Sequence, residues 1–191
     1  DAAAEQPYAR VLDLGTGTGR MLQLLAGEHI ERAVGLDSSH AMLAVARSNL
    51  ERAEVRRVEL RQGDVYSPPL DRDAFDFIII HQVLHFLDDP ARAIREAAQL
   101  LAPGGRLLIV DFAPHSLEFL RAEHAHRRLG FRDEAITVWL EQSELDVGAT
   151  RTIEPPTDQT GQERLTVSLW TGIDRRPGTT TNAASGELST S

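Results

Sequence analysis

"VLDLGTGTGRM", Val11 to Met21, decides how the rest of the chain is read. An apolar run carrying one acid, Asp13, leads straight into glycines at alternate positions, Gly15, Gly17 and Gly19, and a helix-like pattern follows. Glycine weakens the interior of a strand or a helix by about 0.5–1 kcal/mol relative to alanine. Its repeated use at the end of a strand points to a backbone that must approach something closely, or turn as a side chain would forbid.

Outward from this stretch, strand-like and helix-like segments alternate. Residues 10–14 read as a buried strand and 18–27 as a short helix. "RAVGLD", 32–37, is a second strand ending in an acid; Ser38 or Ser39 caps a helix that runs to about Leu50. Residues 55–64 alternate as a third strand and turn at Gly63. "AFDFIII", 74–80, is apolar enough to be covered on both faces. Asp89 followed by Pro90 starts a helix with an acceptor at the cap and proline in the first turn, and "PGG", 103–105, stops it.

Residues 106–112 form the next strand, Ser116–Leu129 a helix closed by Gly130, and 133–143 a shorter helix. "VGATRTIE", 147–154, and "RLTVSLW", 164–170, are the final strands, joined by a polar loop at 155–163. Such alternation means an α/β domain with a mostly parallel sheet between two helical layers. Ligands of open sheets of this kind sit beyond the carboxyl ends of the strands, where the strand order reverses. The domain is expected over 1–174, with a Gly/Ser/Thr-rich disordered tail over 175–191.

Composition narrows the function classes. The chain of 191 residues is long enough for one sizeable core. It has no cysteine, which excludes disulfides, thiolate metal sites and cysteine nucleophiles, and fits a cytoplasmic protein. The net charge is −9 and there is no basic block, so no nucleic acid is expected as a partner of this domain. No apolar run approaches the roughly 20 residues that cross a bilayer, so no membrane association is expected. The first residue is Asp1 rather than methionine, which leaves room for an upstream part.

The glycine pattern separates two ligand classes. A dinucleotide fingerprint is G-x-G-x-x-G. Here the third glycine comes one position early, and Arg20 stands where that fingerprint has glycine. The pattern D-x-G-x-G-x-G resembles the first motif of the class I, Rossmann-like S-adenosylmethionine-dependent methyltransferases. "GLDSS", "QGDV", "FDFIIIHQVLHFLDDP" and "LLAPGGRLLIVDF" follow in the order and spacing of that family, over roughly residues 9–171.

The resemblance implies a three-layer sandwich with a seven-stranded sheet of order 3-2-1-4-5-7-6 and an antiparallel last strand. It implies S-adenosylmethionine as cofactor. Gly15, Thr16, Gly17 and Gly19 would lie against the methionine moiety, and Asp13 would orient the loop or the cofactor's ammonium. Asp37, with Ser38 and Met42 beside it, would accept the ribose hydroxyls. Gly63, Asp64 and Val65 would lie at the adenine. His81 would close the cofactor site near the methyl group.

Methyl transfer from a sulfonium needs alignment, and a base only where the acceptor loses a proton. His81 and His85 follow the fourth strand and are the candidate bases, with Asp111 and His115 next. Their H-x-x-x-H spacing also suits a metal pair on a helix, but His81 is expected to end a strand and no glutamate follows it, so no metal is assigned. His124 and His126, beside Arg127 and Arg128, belong to a helix that is a solvated face or a cover over the substrate mouth.

The segments from 84 onward look most like small-molecule methyltransferases of the ubiquinone/menaquinone type. "DFAPHSLEFLRAEHAHRRLGF" also resembles methyltransferase-like domains fused to an ArsR-type winged-helix repressor, which implies a cofactor-sensing alternative. The expected partners are a small-molecule substrate and either a second copy of the chain or a winged-helix domain, fused or separate.

Overall fold

The computed structural model describes residues 8–25, 27, 29–123, 126–154 and 165–177. Among these residues, eight strands form one sheet. β1 (Arg10–Leu14), β2 (Arg32–Asp37), β3 (Val58–Gln62), β4 (Phe75–His81) and β5 (Leu101–Phe112) run parallel. β6 (Leu145–Val147) and β7 (Arg151–Ile153) both pair antiparallel with β8 (Val167–Asp174), which is itself antiparallel to β5. The order is β3-β2-β1-β4-β5-β8-β6. The expected sixth strand is split in two. Between Val147↔Gly172 and Arg151↔Leu169 the edge carries one residue more than β8, so Gly148–Thr150 bulge out. With β6 and β7 counted as one interrupted strand, the expected order holds.

Side-chain parity puts a core on each face of the sheet. Leu12, Leu14, Ile78 and Ile80 belong to one cluster, with Ile94 and Ala97 of α3 (Pro90–Leu100) and Ile136 and Leu140 of α5 (Asp133–Gln142). Val11, Phe77 and Ile79 point the other way, toward Leu22 of α1 (Arg20–Leu25) and Leu50 of α2 (His40–Arg52). The caps fall where side-chain chemistry puts them. Ser39 Oγ accepts the Met42 amide and Asp89 Oδ1 the Arg92 amide, each an amide the helix itself leaves unsatisfied. None of the described helices is long and apolar enough to cross a membrane.

Three expectations are corrected. The helix expected over Ser116–Leu129 is reduced to α4 (Phe119–Glu123), because the following amides bond elsewhere. His126 donates back to the Leu120 carbonyl, and Arg127 and Arg128 both donate to the His85 carbonyl. Second, "PGG" lies inside β5, not before it. Phe75 pairs with Leu101 and Phe77 with Arg106, so the extra residues of β5 form a bulge in which Gly104 takes φ +75°. Third, the expected tail begins too early. Arg175 bonds Asp146 and the Leu145 carbonyl, and Arg176 bonds Asp174, Asp73 and the Leu101 carbonyl. His124, the whole of the 155–163 loop with residue 164, and residues 178–191 lie outside the described residues.

Candidate cofactor and acceptor cleft

Strand order reverses between β1 and β4: the chain leaves β1 toward β2 and β3, then returns to the other side of β1. A cleft of about 560 Å³ opens beyond the carboxyl ends of these strands. This is the place, and the size, expected for a small-molecule site in an open α/β sheet.

One wall is the glycine loop. The amides of Gly15 and Thr16 both donate to the Leu36 carbonyl, at 2.8 and 2.9 Å, folding the loop over the end of β2. Gly15, Gly17 and Gly19 have φ of +86°, +52° and +78°, the left-handed region that L side chains avoid. Their surroundings differ. A Cβ on Gly15 would collide with Val83, and one on Gly19 would press on Ala46 of α2 at 3.3 Å. A Cβ on Gly17 would meet no protein atom within 4 Å. Gly15 and Gly19 are required by the protein's own packing, whereas the space beside Gly17 is left open in the cleft wall.

Two carboxylates stand behind this loop. Asp37 closes β2 and accepts the Gly17 amide at 2.8 Å with one oxygen and the Ser39 amide at 2.9 Å with the other. Asp13 is fully buried at 0 % exposure. Its Oδ2 accepts the Thr16 hydroxyl at 2.7 Å, while its Oδ1 has no hydrogen-bond partner. Burial pushes the Asp13 carboxyl up to about 7, against the Thr16 hydroxyl, and the nearby Asp37 charge adds to the rise. A buried acceptor with nothing to accept is costly, and here it lines the cleft. An ammonium group would answer it.

The floor near β3 carries Asp64 and Val65. Asp64 Oδ1 accepts the Tyr66 amide at 2.9 Å and shapes a tight turn to Ser67. The segment after β4 adds to the lining and abuts the glycine loop through Val83. His81 ends that strand, half-buried, and burial lowers its pKa below the ordinary imidazole value, with the Asp111 charge opposing. Gln82 has φ +54° and donates its amide to the Val110 carbonyl at 2.7 Å, so the chain bends sharply off β5. Val83, Phe86 and Leu87 then complete an apolar side.

Of the residues singled out in the sequence, Asp13, Gly15, Thr16, Gly17, Asp37, Ser38, Asp64, Val65 and His81 line this cleft. Gly19, Met42, Gly63 and His85 are not among its lining residues. Gly19 packs under α2; Met42 is exposed on that helix; Gly63 sits against Pro69 and Leu36. His85 is 2 % exposed on a short 3-10 turn (Leu84–Phe86), where its Nδ1 is 2.8 Å from Asp111 Oδ1. His81 and His85 thus part company, and among the described residues no group of three or more His, Asp or Glu side chains is placed to hold a metal. Thr18, Arg20, Met21, Gln82, Val83, Phe86 and Leu87 line the cleft without having been assigned to a site from the sequence. For the apolar ones the sequence carries no signal that separates them from core.

The buried Oδ1 of Asp13 and the open space at Gly17 suit a ligand that brings a cation and lies against the loop. Asp37 and Asp64 supply acceptors farther along. These are the demands of the methionine, ribose and adenine portions of S-adenosylmethionine, so the residues present fit that cofactor.

Comparisons with known proteins agree. The family model described as a methyltransferase domain matches residues 12–109. The uncharacterized methyltransferase YcgJ of Bacillus subtilis is 36 % identical over 106 residues, 55 % of this chain and 42 % of that protein. A demethylmenaquinone methyltransferase of Thermus thermophilus is 38 % identical over 121 residues, 60 % of this chain and 52 % of that protein. The chain thus spans about half the length of these curated relatives. The crystal structure of YcgJ superimposes with a TM-score of 0.73 at 23 % identity, covering 92 % of this chain and 95 % of that one, which speaks for the fold. With its strand order, glycine loop and family match pointing the same way, the chain belongs to the class I, Rossmann-like S-adenosylmethionine-dependent methyltransferases.

Proposed function

We propose that this domain methylates a small molecule with an apolar body and an ionisable nucleophile, with His81 as the acceptor-side base. The observation that carries this is one cleft lined both by Asp13, Gly17 and Asp37 from the ends of β1 and β2 and by His81, Phe86 and Leu87 from the end of β4 and the segment after it. When bound, S-adenosylmethionine supplies an electrophilic methyl group on a sulfonium. Asp13 would hold the ammonium, Asp37 the ribose hydroxyls, and Asp64 with Val65 the adenine.

The chain's own part is alignment, water exclusion and one proton. Phe86 and Leu87 offer an apolar surface on which an acceptor is positioned and from which water is displaced. Burial lowers the His81 pKa and so favours the neutral ring, a nitrogen of which would take the acceptor's proton as attack proceeds. His85 has its Nδ1 engaged by Asp111 and supports the turn that carries Phe86. The Thermus relative's name, a demethylmenaquinone methyltransferase, is in keeping with an apolar acceptor.

The experiment is release of S-adenosylhomocysteine in the presence of a panel of apolar hydroxyl-bearing compounds. With an active acceptor in hand, His81→Gln should keep cofactor affinity and lower turnover by roughly 10²–10⁴-fold. Full activity in that variant would remove His81 as the base.

A further inference from the structure

Three residues outside the cleft join its two ligand-facing loops. Tyr66 follows Asp64 and Val65, which line the adenine side; Asp89 and Arg92 follow Phe86 and Leu87, which line the acceptor side. The Tyr66 hydroxyl accepts the Asp89 amide at 2.9 Å. The Arg92 guanidinium donates to the Tyr66 carbonyl at 3.1 Å and lies over the Tyr66 ring, 5.2 Å from its centroid. The Tyr66 amide in turn donates to Asp64, at 2.9 Å. One tyrosine thus uses its amide, carbonyl, ring and hydroxyl to bind an adenine-side acid to the start of α3. That helix is a firm anchor, since Ala93, Ile94 and Ala97 are buried in the main core.

We propose that Tyr66 and Arg92 are positioning residues, a latch that sets the separation of the adenine-side and acceptor-side loops. The inference rests on the reading of the cleft as the S-adenosylmethionine site. Neither residue is among those lining the cleft. Their contribution is to keep Asp64 and Val65 at one distance from Phe86 and Leu87 before binding. Without the latch, part of the binding free energy would go into ordering the loops. Exposure argues against a purely structural role for Arg92: its side chain stands at the surface, where an ion or a cation–π contact contributes little to overall stability.

The test is calorimetric titration of S-adenosylhomocysteine into the parent, Tyr66→Phe, Arg92→Ala and Arg92→Lys, well below their melting temperatures, with steady-state kinetics once an acceptor is known. Tyr66→Phe keeps the ring and removes one acceptor. It and Arg92→Ala should each weaken binding by about two- to ten-fold, the worth of one net hydrogen bond. The Michaelis constant for the cofactor should rise with kcat unchanged. Arg92→Lys should recover part of the loss, since an ammonium also sits over a tyrosine ring. Folded variants that bind within two-fold of a binding parent would overturn the latch and leave the cofactor site standing. A parent that binds no S-adenosylhomocysteine would remove both.

Discussion

The Asp37 carboxylate accepts the Gly17 amide at 2.8 Å, tying the end of β2 to the middle of the glycine loop. The same side chain accepts the Ser39 amide at the start of α2. A residue expected to serve the ribose therefore also holds the loop that would carry the methionine moiety.

Asp37→Ala should accordingly cost more than a single ligand contact. A hydrogen bond to a charged group contributes about 1.5–3 kcal/mol, and the freed Gly17 and Ser39 amides add to that loss. Binding of S-adenosylhomocysteine should weaken by at least tenfold, with a lower melting temperature. Asp37→Asn keeps one acceptor oxygen and should fall between variant and parent. Unchanged affinity in a folded Asp37→Ala would contradict this assignment.

The glycines should separate by mechanism. Gly15→Ala drives a methyl group into Val83 and should lower stability by several kcal/mol. Gly17→Ala meets no neighbour within 4 Å, and its cost is the left-handed backbone alone, about 1–2 kcal/mol. Gly17→Val should fold less stably than the parent and lose cofactor binding, because its side chain enters the space left beside the loop. Denaturant melts paired with titrations distinguish the two positions. Equal loss of stability at both would contradict the packing difference.

Asp13 gives a pH dependence whose sign is fixed. Its folded value, about 7, lies above the ordinary 3.8, so the folded state holds the proton more tightly than the unfolded one. Its contribution to the stability of the ligand-free domain is full below that ordinary value and is lost as pH rises through about 7. A bound ammonium reverses the preference. Affinity for S-adenosylhomocysteine should therefore fall from about pH 7.5 to about pH 5.5, by up to roughly tenfold per unit below the Asp13 value, with protons released on binding. Asp13→Asn should flatten that profile and weaken binding at neutral pH, while raising the melting temperature of the ligand-free domain above neutral pH.

The carboxyl end of β8 carries a separate prediction. Arg176 joins Asp174, Asp73 and the Leu101 carbonyl at 2.7–2.8 Å, and these carboxylates raise its pKa further. We expect the domain boundary just past these arginines. Removing residues 178–191 should leave the melting temperature unchanged, whereas Arg176→Ala should cost about 1 kcal/mol, the upper range for exposed ion pairs. A truncation at 177 that destabilises the fold would place the boundary elsewhere.

The parts of this molecule that were legible in the sequence are those set by local chemistry. Alternating apolar segments gave the parallel sheet, Asp89–Pro90 the start of α3, and D-x-G-x-G-x-G with Asp37 the cleft wall. What was not legible depends on partners distant in the chain. "PGG" stops a helix wherever it stands, and only pairing of β5 with Phe75 and Phe77 turns it into a bulge. Residues 126–129 have helical composition, yet the carbonyl of His85 takes two of their amides. His81 and His85 are equivalent candidates until a 3-10 turn sends one to the cleft and the other to Asp111. Phe86 and Leu87 carry no mark of their own in the sequence, because nothing local says that the space beside them is open.

The central claim is that the space between the glycine loop and the β4–α3 segment takes an adenosyl sulfonium compound rather than a dinucleotide. Calorimetric titration of the folded chain with S-adenosylmethionine, S-adenosylhomocysteine and NAD tests it most directly. The account predicts saturable one-to-one binding of both adenosyl compounds and no heat of binding from NAD. Binding of NAD, or failure of folded protein to bind either adenosyl compound, would contradict it.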